Sequence, residues 1–439
     1  MQHSFEGLDR GGGFARIGLL RPLRTRDFRL LWAGMSVSLV GDGMFLVATA
    51  WTAYALWNAP AALSVIGIAM TAPTIACLLV GGAASDRFDR RLVMLWSDLG
   101  RGLAVGLLAV LAFAHALSFP ALTALVAVYA LGAGFFTPAF ESTVPELVPA
   151  EDLPQANALD QFVRPIAMRL VGPALGGVLV GTTGSGTAFA LDAASFGMSV
   201  ATVLALRPLG GSGEPTGSTM AAVRDGLRFV RRRVWLWGTL FSAAAAYLVF
   251  LGPTEVLLPY VVKNELHGSA SQLGVVLAAG GVGALGAAAF MGQRAEPRRP
   301  MTFMYVCWTV ATLAVVGYGI GRTAPQLALA CLLFNALEAA GTIVWATIKQ
   351  RHVPAGLLGR VSSLDWLISI SLLPVSYALT GPIAGAVGAR ATLVGSGLIG
   401  AAITLAALFL PGMRDIDSVE ACTSSSSRGT ASRSSTSTA

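Results

Sequence analysis

The chain has 439 residues, of which 54% are hydrophobic and only 12% are charged. A soluble domain carries about 25% charged residues, so this chain has too little polar surface to cover a globule of its size. Its composition excludes an ordinary soluble enzyme and predicts an integral membrane protein.

Twelve long apolar stretches predict an all-α integral membrane protein. A transmembrane helix needs about 20 apolar residues, whereas barrel strands need about 10 and must alternate polar with apolar positions. The apolar stretches here are continuous, so we predict helical spans. They are placed at residues 28–57, 60–83, 92–116, 119–143, 158–181, 186–206, 234–262, 271–292, 301–321, 325–347, 361–387 and 391–411.

The distribution of Lys and Arg predicts the orientation of these spans, because cytoplasmic loops collect positive charge. With the N-terminus inside, 24 of the 30 basic residues lie in cytoplasmic segments, against three on the other side. We therefore predict a multi-pass protein of the cell membrane with both termini cytoplasmic. The net charge of +7 follows from this asymmetry and requires no nucleic-acid partner.

An internal repeat divides the spans six and six. Residues 148–160 read VPAEDLPQANALD and residues 353–365 read VPAGLLGRVSSLD, with six of thirteen positions identical. Two like-oriented six-helix bundles related by an axis along the membrane normal are a parallel-repeat architecture of secondary transporters. The predicted parts are an N-terminal segment (1–27), a first bundle (28–206), a central cytoplasmic loop (207–233), a second bundle (234–411) and a disordered Ser-rich tail (412–439). We expect removal of that tail to leave transport intact.

Catalytic and cofactor motifs do not account for this sequence. The two lysines follow no phosphate-binding loop, so we predict no ATP partner, and the motifs of hydrolases and metalloproteases do not occur. The four cysteines and four histidines are dispersed, so we predict no metal site and no cofactor. A G-x-G-x-x-G pattern at Gly281, Gly283 and Gly286 falls inside an apolar span, where it favours close helix packing.

The loop after the second span reads GAASDRFDRR. With its glycine, acid and arginines it resembles the signature loop of the major facilitator superfamily. That resemblance, which extends over nearly the whole chain, implies two bundles that rock around a central cavity. It also implies that the acid of the loop engages a helix N-terminus and latches the bundles together on the inner side. The residues of this predicted gating loop are Gly82, Asp86, Arg87, Arg90 and Arg91.

The fifth span carries VGPALGGVL, which is similar to the motif of drug and metabolite antiporters in that superfamily. Its glycines permit close backbone approach, and its proline removes a helix hydrogen bond and bends the span. Ordinary small-residue packing is the alternative reading. The stretches RDFRLLWAG, PELVPAEDLPQANAL and ALDAASF further resemble the branch that holds enterobactin and macrolide exporters. The antiporter-like residues are Gly172, Pro173, Gly176 and Gly177.

Charges inside spans are costly and mark pathways or relays by default. Asp42 and Arg169 lie at compatible depths, which predicts that they pair, either permanently or in a way that breaks during transport. Glu338, three residues after Asn335 on one helix face, is the first candidate for proton binding, with a packing role as the alternative, and Asp42 is the second candidate. Glu255 is either a gate or an acid near the outer surface.

Other polar residues within or beside spans have simpler readings. Asp98 and Arg101 stand three apart and are expected to pair locally. Asp160 and Asp365 occupy equivalent repeat positions and are expected to cap helices. Asp192, about six residues in from the outer side of the sixth span, has the same two interpretations as Glu255.

These observations predict a secondary active transporter and not an enzyme. We expect proton-coupled export of an amphipathic small molecule, such as an antibiotic, a siderophore or another secondary metabolite. Its predicted partners are that substrate, protons and the lipid bilayer. A nutrient importer of the same fold and a non-transporting membrane scaffold or sensor remain as alternatives.

Overall fold

The computed structural model describes residues 18–87, 89–207, 227–294 and 297–417. Most of the predicted central loop and nearly all of the predicted tail lie outside these residues. The side chains of residues 78–87 and of a few single positions in later helices are also outside the description.

Among the described residues, seven α-helices form the first half of the chain. A proline-containing 3-10 segment, Gly18–Arg24, leads into the first of them. The fifth span consists of two helices, α5 and α6, joined by a wide π turn at Ile166–Val171. The helices are α1 (Arg26–Leu56), α2 (Ala61–Arg87), α3 (Arg90–Phe113), α4 (Phe119–Leu147), α5 (Leu153–Pro165), α6 (Gly172–Thr183) and α7 (Ser185–Leu204).

The second half, as far as the structure describes it, also contains seven α-helices. Its first helix ends in a π turn at Val261–Glu265, and its fifth span is again divided in two. The helices are α8 (Val234–Tyr260), α9 (Ala270–Gly292), α10 (Pro300–Ile320), α11 (Ala324–His352), α12 (Ala355–Ile370), α13 (Leu373–Val387) and α14 (Ala389–Ala407). We call the end of the bundle where α1 begins the proximal end and the opposite end the distal end.

The two halves pack their helices in the same way. In the first half α1 contacts α6 and α7, α2 contacts α4, and α3 contacts α4 and α7. The equivalent helices of the second half make the equivalent pairs, since α8 contacts α13 and α14, α9 contacts α11, and α10 contacts α11 and α14. The halves meet through α2 with α13 and α6 with α9, which are also equivalent under the repeat. The predicted fold of two six-helix bundles related by a parallel repeat is confirmed.

The helices are long and apolar enough to cross a membrane. In the described residues eleven spans meet that criterion, and the apolar part of α2, Ala61–Cys77, is a shorter twelfth. Helix α3 shows the inverted surface that a bilayer favours. Its interior face carries Asp98 and Arg101, while Trp96 and Leu103 are about two-thirds exposed (67% and 66%) on the opposite face. A bilayer accepts such an apolar surface, whereas water does not.

The ordered chain continues past the end predicted for the second bundle. The side chains of Met413 and Ile416 are buried against the proximal ends of α8 and α10. Asp417 accepts hydrogen bonds from the backbone amides of Met301 (2.8 Å) and Thr302 (3.1 Å), so it caps the N-terminus of α10. The expectation of disorder from residue 412 was therefore wrong for residues 412–417, because these residues satisfy a helix terminus that would otherwise be unpaired.

Candidate functional site

A buried cluster of charged side chains lies inside the first half. We call it the buried charge cluster; it consists of Asp42 on α1, Asp98 and Arg101 on α3, Tyr129 on α4 and Asp192 on α7. Arg101 Nη2 donates to both carboxylate oxygens of Asp42, at 2.8 and 3.0 Å. Its Nη1 lies 3.4 Å from Asp98 Oδ1. Four helices of one half are thus joined through one guanidinium group and its neighbours.

Aromatic rings and hydroxyl groups complete the surroundings of this guanidinium. Its Cζ lies 4.3 Å from the ring centroid of Phe196 and 4.7 Å from that of Tyr129, within the range of cation–π attraction. Tyr129 Oη donates to Asp42 Oδ1 at 2.6 Å, and Ser199 Oγ donates to Asp98 Oδ2. Charges taken out of water need this density of partners, because an unpaired buried charge is strongly destabilising.

The predicted pair of Asp42 with Arg169 was wrong. Asp42 binds Arg101, while Arg169 lies against Asn335 and Glu338 of the other half. Arg169 matches Asp42 in depth more closely than Arg101 does, so the helix face decides the partner. The predicted local pair of Asp98 and Arg101 is confirmed, but sequence reasoning missed the second, shorter contact that Arg101 makes across the bundle.

A cavity of about 230 Å³ opens onto one side of the buried charge cluster. Its polar wall contains the charged side chains of Asp42, Arg101 and Arg164 and the hydroxyl groups of Ser38, Thr74, Tyr129 and Thr137. Its apolar wall contains thioether and aromatic side chains, those of Met35, Met70, Met168, Phe136 and Phe140. Unbranched methionine side chains adapt to ligands of different shape, so this apolar wall suits the apolar part of a ligand.

Arg169 and Glu338 connect the two halves near mid-depth. Arg169 Nη1 lies 3.6 Å from Glu338 Oε2 and 3.3 Å from Asn335 Oδ1. Half of the Arg169 side chain is exposed and a quarter of the Glu338 side chain is exposed (50% and 25%). Thr342 Oγ1 donates to the other Glu338 oxygen at 3.0 Å. This pair is the accessible acid–base contact between the halves in the described part of the chain.

The position of Arg169 depends on the local backbone of the fifth span. Pro173 has no N–H to donate to the carbonyl of Arg169 four residues earlier, and the chain widens into the π turn at Ile166–Val171. Gly281 of α9 lies directly over that carbonyl, and a Cβ there would stand 2.5 Å from the oxygen. The proline and the facing glycine together turn Arg169 toward α11.

The glycines of the antiporter-like motif serve two different interfaces. Gly172 and Gly176 pack against Gly43 and Met44 of α1, within the first half. Gly177 packs against α9 across the halves, where a Cβ would stand 2.8 Å from Ala270 O and 2.8 Å from Gly274 Cα. Of the three glycines, Gly177 is therefore the one that packs against the other half, and the antiporter role of the motif stays a prediction.

Side chains of both halves close the distal end. Lys263 lies 5.0 Å from the ring centroid of Trp51 and donates to its carbonyl at 3.3 Å. The Tyr377 ring lies against Gly67 of the first half, and its hydroxyl donates to Glu255. Glu255 thus holds a tyrosine that contacts the opposite half, so the structure places this predicted site residue at the distal closure.

The predicted gating loop is described only in part. Gly82 and the side chains of Asp86 and Arg87 lie outside the description, so the predicted latch through Asp86 remains a prediction. Arg90 pairs with Glu146, and Arg91 donates to the carbonyl of Val203 at 3.0 Å. Both arginines thereby join α3 to other helices of the same half.

Two aspartates expected to cap helices do not do so. Asp160 lies inside α5 and pairs with Arg164 one turn later, at 3.3 Å. Asp365 lies inside α12, where it accepts from Trp345 Nε1 at 2.8 Å and pairs with Lys349 of α11. Each helix begins further upstream than predicted, and a mid-helix acid needs a side-chain cation instead of backbone amides.

The architecture and the intramembrane charges define the class of protein. Two repeated six-helix bundles, sealed together at one end and bridged by a partly exposed ion pair at mid-depth, are the arrangement of a secondary transporter of the major facilitator type.

The family assignment follows from comparison with known proteins. A family model described as transmembrane secretion effector matches residues 17–431, and the chain belongs to that family. The multidrug efflux pump Tap of Mycolicibacterium fortuitum is 30% identical over 431 residues, which cover 90% of this chain and 97% of that protein. The enterobactin exporter EntS of Citrobacter koseri is 28% identical over 395 residues, covering 87% and 91%. The chain is a multi-pass membrane transporter with efflux pumps among its relatives.

Solved structures agree on the fold. A bacterial homologue of the iron transporter ferroportin in an inward-facing state matches with a TM-score of 0.64 at 18% identity, covering 87% of this chain and 98% of that one. A POT family transporter in complex with 5-aminolevulinic acid matches with a TM-score of 0.65 at 14% identity, covering 89% and 97%.

Proposed function

We propose that the protein exports an amphipathic small molecule in exchange for protons, with Glu338 as the coupling carboxylate. The observation that carries this proposal is the contact of Glu338 with Arg169. It joins the two halves, and both side chains are partly exposed. The names of the related efflux pumps support export over uptake.

Protonation of Glu338 changes the balance between conformations because it removes one charge of an ion pair that joins the halves. A partly exposed pair contributes up to about 1 kcal/mol, which corresponds to about a five-fold change in population. Proton binding thus destabilises the conformation in which Arg169 and Glu338 form their ion pair, relative to a conformation in which they are apart. Asp42 is the second candidate, but in this conformation Arg101 and Tyr129 bind its two oxygens, so Glu338 is the more accessible of the two carboxyl groups.

The same geometry orients the transport cycle. The halves are closed at the distal end, so this conformation binds substrate from the proximal end. Basic residues concentrate in the proximal loops, and we therefore assign the proximal end to the cytoplasm. A substrate that enters the thioether- and aromatic-lined cavity is amphipathic, because its apolar part faces methionine and phenylalanine side chains while the wall also offers an ion pair.

Proton flux in inside-out vesicles tests the proposal. A proton gradient, acidic inside, is monitored with a quenched pH dye while ethidium, a macrolide and a catecholate siderophore are added in turn. Substrate-dependent recovery of the dye signal, absent from vesicles without the protein, supports proton-coupled export. Substrate movement out of the lumen together with protons supports the importer. No flux and no substrate binding across the panel overturns the transport mechanism and favours a scaffold.

A further inference from the structure

We propose that Asp192 is a second proton-binding residue, protonated in the conformation described here and in exchange with Asp42 through Arg101. The inference deepens the proposed function and rests on it for its role in the transport cycle. The proton site itself rests on the geometry of the buried charge cluster.

The buried charge cluster contains more acidic than basic groups. Three carboxyl groups, those of Asp42, Asp98 and Asp192, share the single guanidinium of Arg101 in the interior of the first half. If all three were ionised, two negative charges would be left in a low-dielectric interior without a cation, which is strongly destabilising.

Asp192 is the carboxyl group of the cluster that lacks hydrogen-bond donors. Asp42 and Asp98 each accept from Arg101 and from a hydroxyl group. Asp192 has no exposed surface (0%), and its Oδ2 has no hydrogen-bond partner in the described residues. Its Oδ1 receives only a long contact of 3.3 Å from Ser195, whose hydroxyl donates to the Asp192 carbonyl at 2.7 Å. An ionised Asp192 would leave charged oxygens without donors, whereas a carboxylic acid avoids that cost.

The packing of α1, α3 and α7 brings Asp192 close to Asp42 and Arg101, which allows the proton to exchange. Asp192 lies against Gly41, the residue before Asp42, so closely that a side chain at Gly41 would collide with Oδ1. Arg101 lies over the ring of Phe196, one helical turn from Asp192 on α7. Asp42 lines the open cavity, whereas Asp192 lies behind it.

The exchange conserves protons and charge. The Asp192 O–H breaks and its proton moves to the Asp42 carboxylate, where a new O–H forms. Asp42 then loses its charge and releases Arg101, whose guanidinium turns to the Asp192 carboxylate. One proton is bound at Asp42 and one leaves Asp192, so the cluster keeps its net charge while the ion pair changes partner.

The groups that face Asp192 are few. From α1 it faces Asp42, from α3 Arg101, and from α4 Tyr129. Helix α6 and the remainder of α7 carry no titratable side chain. The protonation of Asp192 is therefore governed by the buried charge cluster.

Infrared spectroscopy of the purified protein in lipid nanodiscs tests this inference and needs no transport substrate. A protonated carboxylic acid gives a C=O stretching band distinct from that of carboxylates, and this band shifts in D2O. We expect Asp192→Asn to remove one such band from the wild-type spectrum at neutral pH. Asp42→Asn is expected to remove it too, because the freed Arg101 then pairs with an ionised Asp192. Glu265→Gln, which alters an acid of the second half paired with Arg390, is the control outside the cluster and is expected to keep the band.

Each other pattern overturns part of the inference. A wild-type spectrum without a carboxylic acid band, or a band that survives in Asp192→Asn, overturns the proton site. A band that is lost in Asp192→Asn but kept in Asp42→Asn overturns the exchange and makes the proton structural. Thermal unfolding of each variant checks that the fold is intact. Because the assay measures a bound proton, its failure is distinguishable from a failure of the export function.

Discussion

Removal of the Arg101 guanidinium is expected to destabilise the first half more than any other single charge change in it. Arg101→Gln leaves Asp42 with the Tyr129 hydroxyl and Asp98 with the Ser199 hydroxyl, while both carboxylates remain buried. Removal of one partner of a buried ion pair costs about 3–5 kcal/mol. The lost cation–π contacts add to this cost by about 0.5–2 kcal/mol. Reversible unfolding by SDS in mixed micelles measures the difference in free energy.

The control and the double variant isolate the cause. Arg164→Gln breaks a partly exposed pair with Asp160 and is expected to cost less than about 1 kcal/mol. Arg101→Gln combined with Asp42→Asn removes both charges, so the double variant should be more stable than Arg101→Gln alone. If the free energy of unfolding of Arg101→Gln lies within about 1 kcal/mol of the wild-type value, the buried charge cluster does not stabilise the first half as expected.

Two further predictions concern packing. Gly177→Leu places a side chain where α6 and α9 lie in close contact, so we expect it to abolish transport. It should also prevent disulfide cross-linking between cysteines introduced at the distal end. Gly286→Leu is the control, because Gly286 has open space around it, and this variant should cross-link normally. Truncation after Pro411 removes the buried Met413 and the helix cap Asp417, and it should lower the melting temperature by several degrees, whereas truncation after Asp417 should not. Equal melting temperatures for the two truncated chains would contradict the role given to the ordered segment.

Hydropathy and the internal repeat were sufficient to predict the fold. A bilayer imposes length and apolarity on every span, and these properties can be read directly from the residues. The helix ends were less accurate. Helix α11 continues to His352, beyond the predicted end of its span, because its proximal turn is polar and its lysine and arginine reach the helix end. Hydropathy alone does not register such a turn.

The partners of the intramembrane charges could not be predicted from depth alone. Counted from the helix starts, Asp42 is about 24 Å from the proximal end of α1, Arg101 roughly 16 Å from that of α3 and Arg169 roughly 24 Å from that of α5. The choice between the two arginines depends on helix rotation. Rotation at Arg169 is set by the π turn before Pro173, and a sequence gives the proline but not the width of the turn. An available signal was the arginine of α3 itself, since a buried cation attracts more than its nearest acid.

The central claim is that proton binding at Glu338 drives export. Proteoliposomes that contain Glu338→Gln are to be compared with wild-type proteoliposomes for ethidium transport, once with a pH gradient and once as exchange at equal pH. Glu265→Gln, which alters an acid paired with Arg390 within the second half, is the control. We predict that Glu338→Gln keeps exchange at equal pH but loses accumulation driven by the gradient, while the control keeps both. Gradient-driven accumulation at the wild-type level in Glu338→Gln would contradict the account.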